Sequence, residues 1–573
     1  MNEPLTIRTE RVDDIPLLLA QMERMGIARL LDAHFPTNGN REGLSLGKVT
    51  TIWLTHVLSQ ADHRMNRVQP WAERRLETLR GCSDASLQVR DLGDDRLADV
   101  LEYLSDDEHW RAFEQELTGH LVRVYDLHAD CVRLDSTTAS SYGAVSEDGL
   151  LQLGHSKDHR PDLPQLKVML ATLDPLGLPL ATEVLSGERA DDPLYLPTIA
   201  RVRACLNTPG LLYVGDCKMA ALDTRASIQA HGDYYLCPLS ALHVSAEQLS
   251  QQLVALRASD QPLSTVERTG VDGQPHCIAQ GYDSSEVITA QSEGTSYTWT
   301  ERRLLVQSLA AAHSAELGLR RRLSQAQTAL SDLLVRRQGK PVLSDRAAVE
   351  QAVADTVAHF RVEGLLAVTV SEQVTEQPTR AYRNRPAIVR TSRQFTITSD
   401  VEPEALASAI EQLGWRVYAT NQAADGLSVP QAVEAYRDEY LVERNFGRLK
   451  GHPLSLSPMY VERDDHATGL VRLLSIALRV LTLLEFVVRR QLVQEGAALA
   501  GLYAGNPKRA TTYPTTERLL EAFQEITLTM VVEPHQTRRH VTALSALQQR
   551  VLALLAFTPS IYTKLCGDSS EPP

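Results

Sequence analysis

At 573 residues, 43% of them hydrophobic, the chain is long enough for three or four domains with substantial cores. Its formal net charge of −14 argues against a uniformly basic, phosphate-gripping surface and leaves any nucleic-acid contact to local clusters. Seven scattered cysteines without Cys-x-x-Cys pairs argue against a disulfide framework or a structural zinc and suit a reducing cytoplasm.

The opening MNEPLTIRTERVDDIP is polar throughout and lacks the order of a signal peptide. Residues 1–125 read as a helical domain: IPLLLAQMERMGIARLLDAHF has helical apolar spacing, and Ser45 marks the entry to LGKVTTIWLTHVLSQ. Arg64, Arg67, Arg74, Arg75 and Arg80 form a basic cluster there.

Residues 126–240 alternate strand and helix, with strands around Val132, Leu166 to Leu173, Leu180 to Leu185, Leu211 to Val214 and Tyr234 to Cys237. The first is expected to end at Asp135 and the fourth at Gly215-Asp216. A strand-end aspartate by itself more often caps a helix or ends a turn. Asp192-Pro193 fits a helix entry, so Asp191 and Asp192 are read as capping. Between the first two strands, GHSKDHRPDLPQ offers His155, Lys157, His159 and Arg160 as a phosphate-touching loop. Its His-x-x-x-His spacing lacks the further ligands a zinc ion needs.

Roughly two hundred residues then separate Cys237 from the next acidic helix, too many for a loop inside a compact core. An inserted domain, 241–405, is required. It carries β-like runs (CIAQGYD, SYTWTERRLL, GLLAVTVS, RQFTITSD), a long charged helix with Arg320, Arg321 and Arg322, and a basic-aromatic run. That run holds Arg380, Tyr382, Arg383, Arg385, Arg390, Arg393 and Phe395.

In 406–495 the strand GWRVYATN leads to YRDEYLVERNFGRLKG. Tyr436, Glu443 and Lys450 recur every seven residues, so on one continuous helix they share a face with about 20° of drift per step. Val442, Phe446 and Leu449 form the stripe that seats the helix. LLSIALRVLTLLEFVV carries Arg479 and Glu485 mid-segment and reads as a buried helix, not a membrane span. Residues 496–573 read as a helical tail, with LSALQQRVLALLAF apolar enough for a partner helix or for packing on its own chain, and GDSSEPP as disordered.

The order Asp135, Asp216, Glu443, with the third acid inside a Tyr-x6-Glu-x6-Lys helix, resembles the DDE transposases of bacterial insertion sequences, in the subgroup with the Y-R-E-K signature. RLDSTT, GHSKDHRPDLPQLKVML, DPLGLPLATEVLSGERADD, YVGDCKM and ERNFGRLK extend the likeness over most of the chain. The resemblance implies an α/β fold: a ribonuclease-H-like core split into 126–240 and 406–495, with a β-rich insertion between. It implies that Asp135, Asp216 and Glu443 bind two Mg²⁺ ions, for which Mn²⁺ substitutes. It also implies phosphodiester hydrolysis at element ends and strand transfer into target DNA. The implied partners are double-stranded DNA, held by Tyr436, Lys450, Arg444, Arg448 and Lys157, and a second copy in a homodimer. No membrane is involved, and the setting is a bacterial cytoplasm at the nucleoid. Residues 1–125 would bind terminal DNA, and Trp299 or Trp415 would stack on a flipped base.

One departure is plain: the signature's arginine is Glu439. Two carboxylates at i, i+4 repel by about 0.2–0.5 kcal/mol on a simple helix, so Glu439 must face solvent, pair with a base or share the metal. A nuclease of the same fold would use the same acids to cut without joining, and a catalytically silent repressor would bind DNA alone. A phosphatase with Asp135 as nucleophile would want a second acid two residues on, where Thr137 stands.

Overall fold

The run CVRLDSTTAS forms strand β1 (Cys131–Ser140), which is longer than expected and carries Asp135 at its middle. Its small β-branched second half stays paired with β2 (Gln165–Leu173), where Asp135 faces Leu170 and Ser140 faces Gln165. The computed structural model describes residues 6–37, 42–145, 149–259, 261–269, 273–335, 343, 345–379, 388–533 and 536–567. It is a mixed α/β structure whose chain divides into two units.

The first unit comprises 1–237, 288–299 and 435–573. Its sheet orders as β3-β2-β1-β4-β5, with β3 at Leu178–Ser186, β4 at Leu212–Gly215 and β5 at Tyr234–Pro238. β1, β2 and β3 are antiparallel neighbours, whereas β1, β4 and β5 run parallel. Helix α1 (Tyr195–Leu206) supplies the crossover that a parallel return requires. All nine residues of β2 are buried, as expected of a strand covered on both faces.

Helices fill the N-terminal 125 residues after a short strand, Thr6–Arg11. That strand pairs antiparallel with Thr527–Glu533, which pairs in turn with Gln536–Val541. The C-terminal region is therefore not purely helical. TLTMVVE alternates partly exposed Thr527 and Thr529 with buried Leu528 and Met530, a period of two that suits a one-sided sheet. Helix Ala546–Leu554 buries Val551, Leu552 and Leu554 against its own chain, so its apolar stripe is already covered.

Three further helices position the site: α2 (Val429–Arg437), α3 (Tyr440–Lys450) and the 32-residue α4 (Asp464–Glu495). The single helix expected to carry Tyr436, Glu443 and Lys450 is broken between α2 and α3. Arg133 of β1 donates to the Ala435 carbonyl, the acceptor that the Glu439 N–H would use in an unbroken helix. The Glu439 N–H turns instead to Tyr436 O at 3.1 Å, and Leu441 and Val442 also bond three residues back. This tight turn takes Tyr436 off the face that Glu443 and Lys450 share.

The second unit comprises 238–287 and 300–434. Trp415–Thr420 pairs antiparallel with Thr295–Ser308 over Gln307 to Arg302, and Leu366–Thr379 pairs with Ile388–Val401. Leu253, Tyr282, Leu305, Trp415 and Val417 make one core, while Leu319, Leu323, Ala326 and Val362 join helix Leu309–Asp332 to its neighbours. The basic-aromatic run from Arg380 to Arg385 lies outside the described residues, as do the last six residues of GDSSEPP. Among the described residues no helix is long and apolar enough to cross a membrane.

Buried charge in α4 is matched by partners on other elements. Arg479, fully buried, donates to Glu114 Oε1 at 2.5 Å and to Pro179 O at 3.0 Å. Glu114 also pairs with Arg201 and accepts from the Thr182 N–H at 3.2 Å. The carboxylate thus ties helix Asp107–Tyr125 to β3, α1 and α4 at one point. Removing one partner of a buried pair strands the other charge and costs about 3–5 kcal/mol. Glu114→Ala is therefore expected to lower unfolding stability by about 3–5 kcal/mol in denaturant titration, whereas Glu116→Ala at the surface should cost almost nothing.

Candidate active site

Parallel pairing of β1 with β4 matches Leu134 to Gly215, so the next residue on each strand is an acid, Asp135 beside Asp216. The two carboxylates therefore meet at the edge where β4 stops. They line a small cleft with Arg133, Tyr436, Glu439 and Val442.

Each acid is held by one oxygen. Asp135 Oδ1 accepts from the Ser136 N–H at 2.7 Å and lies 3.7 Å from Lys157 Nζ. Asp216 Oδ1 accepts from the Tyr195 hydroxyl at 2.6 Å and from the Lys218 N–H at 2.8 Å. Among the described residues, Oδ2 of both acids is left without a hydrogen bond. The Asp135 carboxyl is pushed up to about 6, chiefly by burial and with smaller contributions from the charges of Asp216 and Glu439, against the pull of Lys157 and the Ser136 N–H. Burial likewise raises Glu439, helped by Glu443 and then Asp216 and opposed by a hydrogen bond from Tyr436.

Two carboxylates stand near the aspartates as candidates for the third acid, close enough for the charge of Glu443 to raise Glu439. Glu439 lines the cleft, whereas Glu443, four residues on in α3, is exposed. The turn at Asp438–Glu439 brings Glu439 inward, and the same turn carries Tyr436 to it. Tyr436 lines the same cleft, and its hydroxyl bonds Glu439.

The other expected DNA contacts have partners within the chain. Arg448 is buried between Glu485 and Glu517, 2.6 and 2.8 Å away, and does not face solvent. Arg444 also pairs with Glu485, and Asn445 donates to Gly177 O at 2.6 Å. Lys450 binds Asp158 Oδ1 at 2.6 Å, with Ser457 on the other oxygen. Lys157 donates to Ser136 O at 2.6 Å and stands 3.8 Å from Asp191, which leaves it beside the acids. His155 and His159 are exposed, and Arg160 pairs with Asp162. In the N-terminal cluster Arg64 pairs with Asp62 and Arg80 with Glu77, while Arg67 and Arg74 stay exposed.

Asp191 and Asp192 do not cap. Neither makes a side-chain cap bond; Asp191 binds Lys167 at 2.5 Å, and Asp192 lies 3.4 Å from Lys218. Both tryptophans offered for base stacking are core. Trp299 donates to the Tyr235 hydroxyl at 2.9 Å, and Trp415 stacks on Tyr282 at 6.0 Å. Sequence reasoning missed Tyr195 and Asp158, and read Glu485 only as a charge within a buried helix. Tyr195 lies 21 residues before its partner and has no spacing signal, whereas Asp158, an acid inside GHSKDHR, was open to view.

The donor set is all oxygen, which suits a hard divalent cation, and two donors present an unbonded oxygen. Among the described residues no three Asp, Glu, His or Cys side chains converge closely enough to hold a metal ion as they stand.

No protein-family model matches the chain, and no curated protein matches it. Among solved structures it aligns with the cryo-EM structure of a piggyBac transposase synaptic complex with hairpin DNA. The identity is 8% and the TM-score 0.36, over 97% of this chain and 86% of that one. At that TM-score the likeness assigns neither fold nor activity to this chain.

Gly215 sets the spacing of the cleft. A Cβ there would stand 2.8 Å from Met219 Sδ and 3.1 Å from Tyr195 Cε1. Gly215→Val is expected to push the tyrosine ring from Asp216 and to cost about 1–3 kcal/mol by overpacking, read as a lowered melting temperature.

Proposed function

We propose that this chain is a DDE-type transposase that cleaves element ends and transfers strands into target DNA, built on a ribonuclease-H-like core. The observation that carries the reading is the adjacent placement of Asp135 and Asp216 on neighbouring parallel strands, each with Oδ2 unbonded among the described residues. The order Asp135, Asp216, Glu443 along the chain supports it through the family resemblance.

Asp135 and Asp216, joined by Glu443 or Glu439, would hold divalent cations such as Mg²⁺ or Mn²⁺. Bound there, such ions supply activation of an attacking oxygen and charge stabilisation at the leaving one. The protein's own part is positioning and exclusion. Ser136, Tyr195 and the Lys218 N–H orient the two carboxylates. Lys157, beside Asp135, is placed to meet a phosphate oxygen, and Lys450 to steady the loop at Asp158. Phosphoryl transfer needs little more from a protein than such placement and charge neutralisation. Double-stranded DNA is the partner and a homodimer the working form, with one site for each DNA end, in the bacterial cytoplasm at the nucleoid.

Mg²⁺-dependent cleavage and joining of DNA carrying the gene's own flanking ends tests the reading. Asp135→Asn and Asp216→Asn should each lower both reactions by more than about 100-fold, since even outer-shell changes cost ten to a hundred. Glu443→Gln and Glu439→Gln separate the two third-acid assignments: the true ligand's variant should fall as far as the aspartates, the other by tenfold or less. Cleavage without joining would point to a nuclease. Binding without either reaction would point to a repressor.

A further inference from the structure

We propose that Tyr195 is a positioning residue for Asp216, fixing that carboxylate by Oδ1 so that Oδ2 faces the cleft. The inference rests on the reading of Asp135 and Asp216 as acids of a divalent-cation site.

The ring is 1% exposed and begins α1, the crossover between β3 and β4. Its hydroxyl stands 2.6 Å from Asp216 Oδ1, and the Lys218 N–H reaches the same oxygen at 2.8 Å. Two donors on one oxygen hold a carboxylate against rotation. A single backbone donor would leave it free to swing about that bond. Outer-shell hydrogen bonds orient ligating carboxylates in this way. The residue before Asp216 has no side chain, and a Cβ on Gly215 would crowd the phenol at 3.1 Å from the ring. The glycine, the buried tyrosine and the aspartate are thus one arrangement, made by residues far apart in sequence. A phenylalanine would fill the same volume without the bond, so packing alone does not account for the hydroxyl.

The test is Mn²⁺ binding to the full-length protein, followed by electron paramagnetic resonance of the free ion. The unaltered chain is compared with Tyr195→Phe, Asp216→Asn and the double variant, alongside thermal unfolding. Tyr195→Phe is expected to weaken Mn²⁺ affinity about 10- to 100-fold, with no further loss when added to Asp216→Asn. Unchanged affinity in Tyr195→Phe, or an equal loss in the Asp216→Asn background, would overturn the positioning role and leave the cation site standing. If the unaltered chain does not bind Mn²⁺, or if Asp216→Asn binds it as tightly, the site reading and this inference fall together. Should Tyr195→Phe not fold, Gly215→Val displaces the ring while keeping the phenol. It must then weaken Mn²⁺ in the same direction, and unchanged affinity would overturn the role.

Discussion

The parallel pairing of Cys131–Ser140 with Leu212–Gly215 is the constraint on which the rest depends. It matches Leu134 to Gly215 and so sets Asp135 beside Asp216, two like charges that an unaided fold would keep apart. Side chains two apart on a strand share a face, so Arg133 projects to the same side as Asp135. Its guanidinium reaches Asp174 at 2.7 Å and takes the Ala435 carbonyl. One arginine thus holds the end of Val429–Arg437 on the acid-bearing face, where the helix breaks. The break in turn lets Glu439 point inward.

The basic residues around the acids serve the fold more than the surface. Glu485 gathers Arg444, Arg448 and Arg489, and Glu517 shares Arg448. Such pairs offset their desolvation only with good geometry and further hydrogen bonds, and Glu485 has one from the Thr516 N–H at 3.3 Å. The motif ERNFGRLK therefore seats Tyr440–Lys450 on Asp464–Glu495 and holds the segment that carries both candidate third acids. Other bases keep their charge outside such pairs. Arg67, Arg74 and Lys157 are among those whose charge remains exposed or beside the cleft.

Much of the sheet was legible because its strands are continuous β-branched or apolar runs. LYVG, QLKVMLATL and YYLCP need only burial to become strands. The buried helix through Arg479 was legible for the same reason. What escaped reading was decided by contacts between distant segments. The heptad of Tyr436, Glu443 and Lys450 promised one face, but the helix breaks before Glu439, beside an Ala435 carbonyl that also accepts from an arginine about three hundred residues earlier. Asp191 reads as a cap from its neighbours and is instead held by Lys167. The hairpin Thr527–Val541 lacks an apolar run long enough to stand out, and its edge is completed by Thr6–Arg11. In the site, both aspartates lie in or just after runs that read as strands, although Asp135 sits mid-strand and not at an end, while the tyrosine that holds Asp216 carries no such mark.

The most direct measurement of the central claim is anomalous diffraction at the manganese edge from crystals soaked in Mn²⁺. The account expects a peak within coordination distance of both Asp135 Oδ2 and Asp216 Oδ2, with a carboxylate from Glu439 or Glu443 as third protein ligand. No peak there at saturating Mn²⁺, or one held by neither aspartate, would contradict it.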